Sequence, residues 1–184
     1  MIRKILCAGA ALAALGAISA PAQADNIKTG IWYAFGFTTT GTALFGPGYA
    51  AGTSPNGVLA PSAPWTITLS KPTTMVVTDV EESGDQFTLY DNGVLLGTTS
   101  TPVPYAQNVG ECISCALASS NFSHGYFTLP AGVNVITGTF DGVVGNGDGD
   151  FAIGVPEPAT WALMLIGFGG LGMALRSRRR TALA

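Results

Sequence analysis

Between residues 25 and 154, hydrophobic positions alternate with polar ones at a spacing of two. Trp65-Thr66-Ile67-Thr68-Leu69 alternates cleanly, and Met75-Val76-Val77-Thr78 is a β-branched run. Successive strand residues point to opposite faces, so this pattern predicts half-buried strands. Gln86-Phe87-Thr88-Leu89-Tyr90, then Asp91-Asn92-Gly93, then Val94-Leu95-Leu96-Gly97-Thr98 reads as a hairpin closed by an Asn-Gly turn. Phe127-Thr128-Leu129 leads through Pro130-Ala131-Gly132 into the alternating run from Val133 to Phe140. An outer pair is predicted from residues 31–37 and from Phe151-Ala152-Ile153. No amphipathic helical period stands out in this region. About eight short strands with Gly and Asn turns predict an all-β fold, an antiparallel β-sandwich of jelly-roll type.

The two ends follow another pattern. Residues 1–24 begin with the bases Arg3 and Lys4, continue as an apolar run over 5–18, and close on Ala22-Gln23-Ala24. That is the layout of a secretory signal peptide, with cleavage after Ala24. Cys7 precedes the apolar run instead of ending it, so it is not placed as a lipoprotein cysteine would be. At the other end, 17 residues from Ala159 to Leu175 carry no charge, and Arg176, Arg178, Arg179 and Arg180 follow. As a helix the run spans roughly 25 Å, the short end of a membrane crossing. Trp161 suits one interface, and the arginines form a stop on the cytoplasmic side. The predicted organisation is therefore a signal peptide over 1–24 and an extracytoplasmic sandwich over 25–154. A sorting and anchor segment over 155–184 follows, with its transmembrane part at about 159–175 and a basic tail over 176–180.

Pro156-Glu157-Pro158, then Trp161, a Gly-rich apolar run and an arginine cluster occur in that order. This arrangement resembles the PEP-CTERM sorting signal, in the variant with Trp-Ala after the Pro-Glu-Pro. The same tail is also labelled an ice-binding-protein C-terminal domain, a label that does not establish ice binding. The resemblance implies an exopolysaccharide-producing Gram-negative source. It also implies processing at the Pro-Glu-Pro by an exosortase, a membrane enzyme resembling a cysteine transpeptidase. The stretch from the WTITLS segment to the GYFTLPAGVNVITGTF segment is similar to a β-sandwich that recurs in secreted bacterial proteins with this tail. That likeness implies a fold and no reaction.

Composition sharpens the picture. Of 184 residues 25 are Gly, and only 10% are charged, which disfavours a helical bundle. A hydrophobic share of 47% excludes a disordered chain. Residues 25–154 hold ten acids and two bases, Lys28 and Lys71, a formal charge of −8. Such a domain repels phosphate backbones, so nucleic acid is excluded as a partner.

Candidate chemistry in the middle region is sparse. Cys112 and Cys115 form a C-x-x-C. In an exported chain it is expected as a local disulfide, with little entropic effect because the loop is so small. A redox motif would need a strand-to-helix setting in a βαβ unit, and zinc would need more ligands than the single His124 adds. Asn146, Asp148 and Asp150 stand at i, i+2 and i+4 as candidate calcium ligands, with Glu157 at the twelfth position of an EF-hand-like loop. Phe151 occupies that loop's glycine position, so the expected reading is a Gly-rich turn before the last strand, and no cofactor is assigned. Asp79, Glu81, Glu82 and Asp85 are expected in a solvated turn. A glycosidase would need such carboxylates facing across a cleft. Trp32, Tyr33, Tyr49 and Tyr105 are candidates for stacking on sugar rings, at least half of them being expected in the core.

The expected function is that of a non-enzymatic protein of the envelope or extracellular matrix. It reaches its place through the secretion machinery, a membrane-anchored precursor and an exosortase-type enzyme, in association with exopolysaccharide. The alternative is a carbohydrate- or calcium-dependent binding module on the same sandwich. A third reading is an enzyme acting on extracellular polymer.

Overall fold

The computed structural model describes residues 25–52, 57–143 and 145–155. The signal segment, the Pro-Glu-Pro with Trp161, the apolar run and the terminal arginines lie outside the described residues. Among the described residues no helix is long and apolar enough to cross a membrane.

The chain is mostly strand. The elements are β1 (Trp32–Phe37), β2 (Gly57–Leu59), β3 (Trp65–Leu69), β4 (Thr73–Asp79), β5 (Glu81–Glu82), β6 (Phe87–Asp91), β7 (Val94–Thr98), β8 (Asn108–Gly110), α1 (Ile113–Leu117), β9 (His124–Leu129), β10 (Gly132–Phe140) and β11 (Gly147–Ile153). One sheet runs β2-β1-β11-β4-β9, a second runs β3-β10-β6-β7, and β5 pairs β8 as a small ribbon. Every pairing is antiparallel except β1 with β2. With β2, β5 and β8 set aside, the chain changes sheet at every step except the β6–β7 hairpin, and its first and last strands lie side by side. That winding is a jelly roll. Asn92 (φ 51) and Gly93 (φ 78) take the left-handed conformations that a two-residue hairpin turn of the predicted kind demands.

The core is aromatic and drawn from both sheets. Phe151 on β11 lies 4.7 Å from Trp65 on β3 and 5.4 Å from Tyr33 on β1, centroid to centroid. Phe35 meets Phe87 edge to face at 5.0 Å, and Phe37 stacks on Phe140 at 4.3 Å. Trp32 and Tyr33 are buried, whereas Tyr49 and Tyr105 are exposed. The first two are therefore withdrawn from any sugar-stacking role.

Two expectations are corrected. The segment from Asn146 to Asp150 is not a turn before a short strand, because Gly147 to Asp150 are the first four residues of β11. The reason lies in the glycines. A Cβ on Gly149 would stand 2.5 Å from the Phe35 ring and one on Gly147 2.9 Å from the Phe37 ring. Gly is required there because the aromatic rings of β1 lie against the backbone of β11. The period of two thus continues through Gly147, Gly149, Phe151 and Ile153 on the core side, with Asp148, Asp150 and Ala152 on the other. The second correction is α1, which no helical period announced. Its five residues bury Ile113 and Ala116 against Trp32, Val76, Val80, Phe122 and Ala152, a smaller apolar cluster on the outer face of the five-stranded sheet.

Phe151 touches aromatic rings of β1 and β3 at once, so its removal opens a cavity between the sheets. Phe151→Ala is expected to lower the stability of the full chain by about 3–5 kcal/mol. A urea midpoint unchanged from wild type would contradict this account of the core.

Candidate functional site

The outer face of β11 carries Asp148 and Asp150, one place apart on the same side. Each is at most 1% exposed. Antiparallel register sets Asp150 opposite Ala34 and Thr78, and Asp148 opposite Gly36. These neighbours are small or short, which leaves room above the sheet. A loop over residues 45–52 fills that room. It is tied down by mutual hydrogen bonds between Gly36 and Phe45 and by Gly48 N donating to Ala34 O. From this loop the amides of Tyr49 and Ala50 each donate to one oxygen of Asp148, both at 2.6 Å. Asp150 has no such partner, and neither of its carboxylate oxygens makes a hydrogen bond.

Two more carboxyls complete the group. Glu81 follows β4 at a left-handed φ of 61°, a strained setting for a residue with a side chain. Glu111 follows β8, immediately before the disulfide-bonded turn that starts α1. Its carboxyl lies close enough to that of Glu81 for the two to act on each other. Burial pushes Glu111 up to about 7, and the charges of Glu81 and Asp148 act in the same direction. Burial pushes Asp150 up to about 8, with Glu111 and Asp148 adding to it. Asp148 is raised by burial, while the two loop amides oppose the shift. Four carboxyls from three parts of the chain therefore lie together, and among the described residues no basic side chain acts on Glu111, Asp148 or Asp150.

A second acidic pair sits nearby. Asp79 and Asp85 were expected in a solvated turn, but both are buried. Asp79 Oδ2 accepts the amides of Gly84 and Asp85 at 3.2 Å, and its Oδ1 makes no hydrogen bond. Burial and then the Asp85 charge push Asp79 up to about 9. The 83–86 loop folds inward because polar side chains hold it. Ser83 Oγ donates to Val103 O, and Ser123 Oγ donates to Asp85 O. A cleft of about 180 Å³ opens between the two acidic groups, lined by Glu81, Asp85, Asn108 and Asn146 among others.

The sequence-predicted residues divide accordingly. Asp148 and Asp150 come together, whereas Asn146 lines the cleft just before β11. The EF-hand-like loop does not form over 146–150, because that segment is strand. Cys112 and Cys115 are joined as a disulfide with Cα atoms 5.2 Å apart. The pair does sit at a helix start after a strand, contrary to expectation, but β8 belongs to an antiparallel ribbon, so no βαβ unit surrounds it. His124 opens β9, half-buried. Sequence reasoning missed Glu111 entirely, whereas Glu81 is exposed as expected. The signal for Asp150 was its place two residues from Asp148 and one before an apolar strand.

Residues 154–180 match the family model of the PEP-CTERM protein-sorting motif. No curated protein and no solved structure matches the chain. The chain is thus an all-β protein with a C-terminal sorting motif. That motif implies an exported protein, anchored transiently in the membrane before processing by an exosortase-type membrane enzyme.

A raised carboxyl pKa means that the folded state holds protons the unfolded chain releases. For Asp79 this extra proton is held from about pH 4 to about pH 9, so stability falls as pH rises through that window. The slope is about 1.4 kcal/mol per pH unit for each such proton. In Asp79→Asn an amide oxygen still accepts the two backbone N–H groups without charge. Urea midpoints measured between pH 5 and pH 9 should fall less steeply for Asp79→Asn than for wild type. Parallel curves would show that Asp79 is ionised in the fold.

Proposed function

We propose that this protein is a non-enzymatic component of the cell envelope or extracellular matrix. Its N-terminal segment directs export, and its precursor holds the sandwich outside and the arginines in the cytoplasm until an exosortase-type enzyme acts at the Pro-Glu-Pro. The observation that carries this reading is the junction. β11 closes the sandwich at Ile153, and the matched sorting motif begins at residue 154. The last strand therefore hands the chain directly to the processing segment. Pro156 and Pro158 each lack the backbone N–H that a strand ladder needs.

The matrix role is supported by the outer face of the four-stranded sheet. Its outward residues include Thr68, Thr88, Tyr90, Leu95, Thr98, Val133, Thr137 and Thr139, and none of its strands adds a charge to that face. Thr88 and Thr98 hydrogen-bond across β6 and β7 at 2.8 Å. Asp25 reaches only the β3 edge, where it accepts from Thr68. In a domain of formal charge −8, an uncharged sheet of hydroxyls and apolar patches suits contact with exopolysaccharide.

In the native host, changing Pro156, Glu157 and Pro158 together to alanine should leave a full-length membrane-bound precursor, read by mass spectrometry of the C-terminus. Processing of this variant at the wild-type rate would refute the sorting role. For the matrix role, Thr137→Asp should reduce co-sedimentation with the host's exopolysaccharide several-fold. Equal sedimentation of variant and wild type would remove the sheet face from consideration.

A further inference from the structure

We propose that Asp150, together with Asp148 and Glu111, forms a calcium site beneath the 45–52 loop, with Glu81 as its outer carboxylate. The proposal is independent of how the protein is sorted. Its first support is Asp150 itself, a fully buried side chain with both oxygens free of hydrogen bonds. A buried carboxylate without a donor is very costly unless it is neutralised by a proton or a cation. Its second support is the shape of the loop above it. A Cβ on Gly52 would stand 2.9 Å from both oxygens of Asp150, and one on Gly48 would stand 2.8 Å from an oxygen of Asp148. The backbone of the loop thus closes over both carboxylates where any larger residue would press on them.

The donor chemistry is hard oxygen throughout. Asp148 is oriented by two amides, which still leaves lone pairs on each oxygen for a metal. Side chains of unequal length from β11, from the segment after β8 and from β5 suit calcium. Calcium accepts six to eight oxygens in flexible geometry, whereas magnesium demands a near-ideal octahedron. Among the described residues no three His, Cys, Asp or Glu side chains stand ready to hold a metal. Binding therefore requires the Glu111 and Glu81 side chains to turn toward the ion. Water and peptide oxygens fill the remaining positions. Glu81 also lines the neighbouring cleft, which gives the ion a way in.

The test is calorimetric titration of the metal-stripped full chain in mild detergent with calcium chloride at pH 7.5, and separately with magnesium chloride. Wild type should bind one calcium per chain with a dissociation constant at or below about 1 mM, the range of extracellular modules. Calcium should also raise the thermal midpoint by several degrees. Asp150→Asn and Glu111→Gln should each weaken binding at least about tenfold, because ligand charge sets affinity. Asp141→Asn removes an exposed acid elsewhere and should bind as wild type does. Absence of calcium binding by wild type would overturn the proposal, whatever the variants do. Binding retained in both Asp150→Asn and Glu111→Gln, or equal affinity for magnesium, would overturn it too.

Discussion

Strand β11 must pass through the middle of the five-stranded sheet with aromatic rings against one side and two aspartates on the other. On the core side its glycines let the Phe35 and Phe37 rings come close to the backbone, while Phe151 fills the space between the sheets. On the outer side, Asp148 and Asp150 cannot stay bare to an apolar neighbourhood, so the 45–52 loop and the turn carrying Glu111 come to meet them. The covering of this face follows from that need. Apolar contacts hold one end of it, where α1 seals Trp32, Val76 and Ala152. Polar contacts hold the other, where loop amides and carboxyls gather.

The same arrangement explains why acid groups lie inside a domain so short of bases. Glu111 and Asp148 raise Asp150, Asp148 raises Glu111, and among the described residues no basic side chain relieves Glu111, Asp148 or Asp150. A fold can hold such a cluster by keeping protons or by taking up a divalent cation. Asp79, with two amides on one oxygen and the Asp85 charge nearby, is of the proton-holding kind. The Asp150 group, roofed by glycine backbone and open to a cleft through Glu81, has the features of the second kind.

Much of the fold was legible because strand periodicity survives tertiary packing. The β6–β7 hairpin, β3 and β10 follow from alternation and from the Asn92-Gly93 turn. The Gly-Asp-Gly-Asp of β11 was misread because glycine is the usual mark of a turn. Its role against Phe35 becomes visible only once β1 is known to pair there. Helix α1 is too short for a period, and its one cue is Ile113 with Ala116 three residues on. At the site, Asp148 and Asp150 were singled out by their spacing, but in the wrong backbone setting. Glu111 was illegible because its partners, Glu81 and Asp148, are distant in sequence and meet only through the winding of the sheets. The sorting motif was the most legible element of all, since its recognition is linear.

The central claim is that the buried carboxylates of β11 hold a cation. The most direct measurement is long-wavelength anomalous scattering from crystals of the protein grown with calcium. The account predicts one strong peak between Asp148, Asp150 and Glu111, on the outer side of β11 and below Gly52. A map with no peak there, or with its only peak beside Asp79 and Asp85, would contradict it.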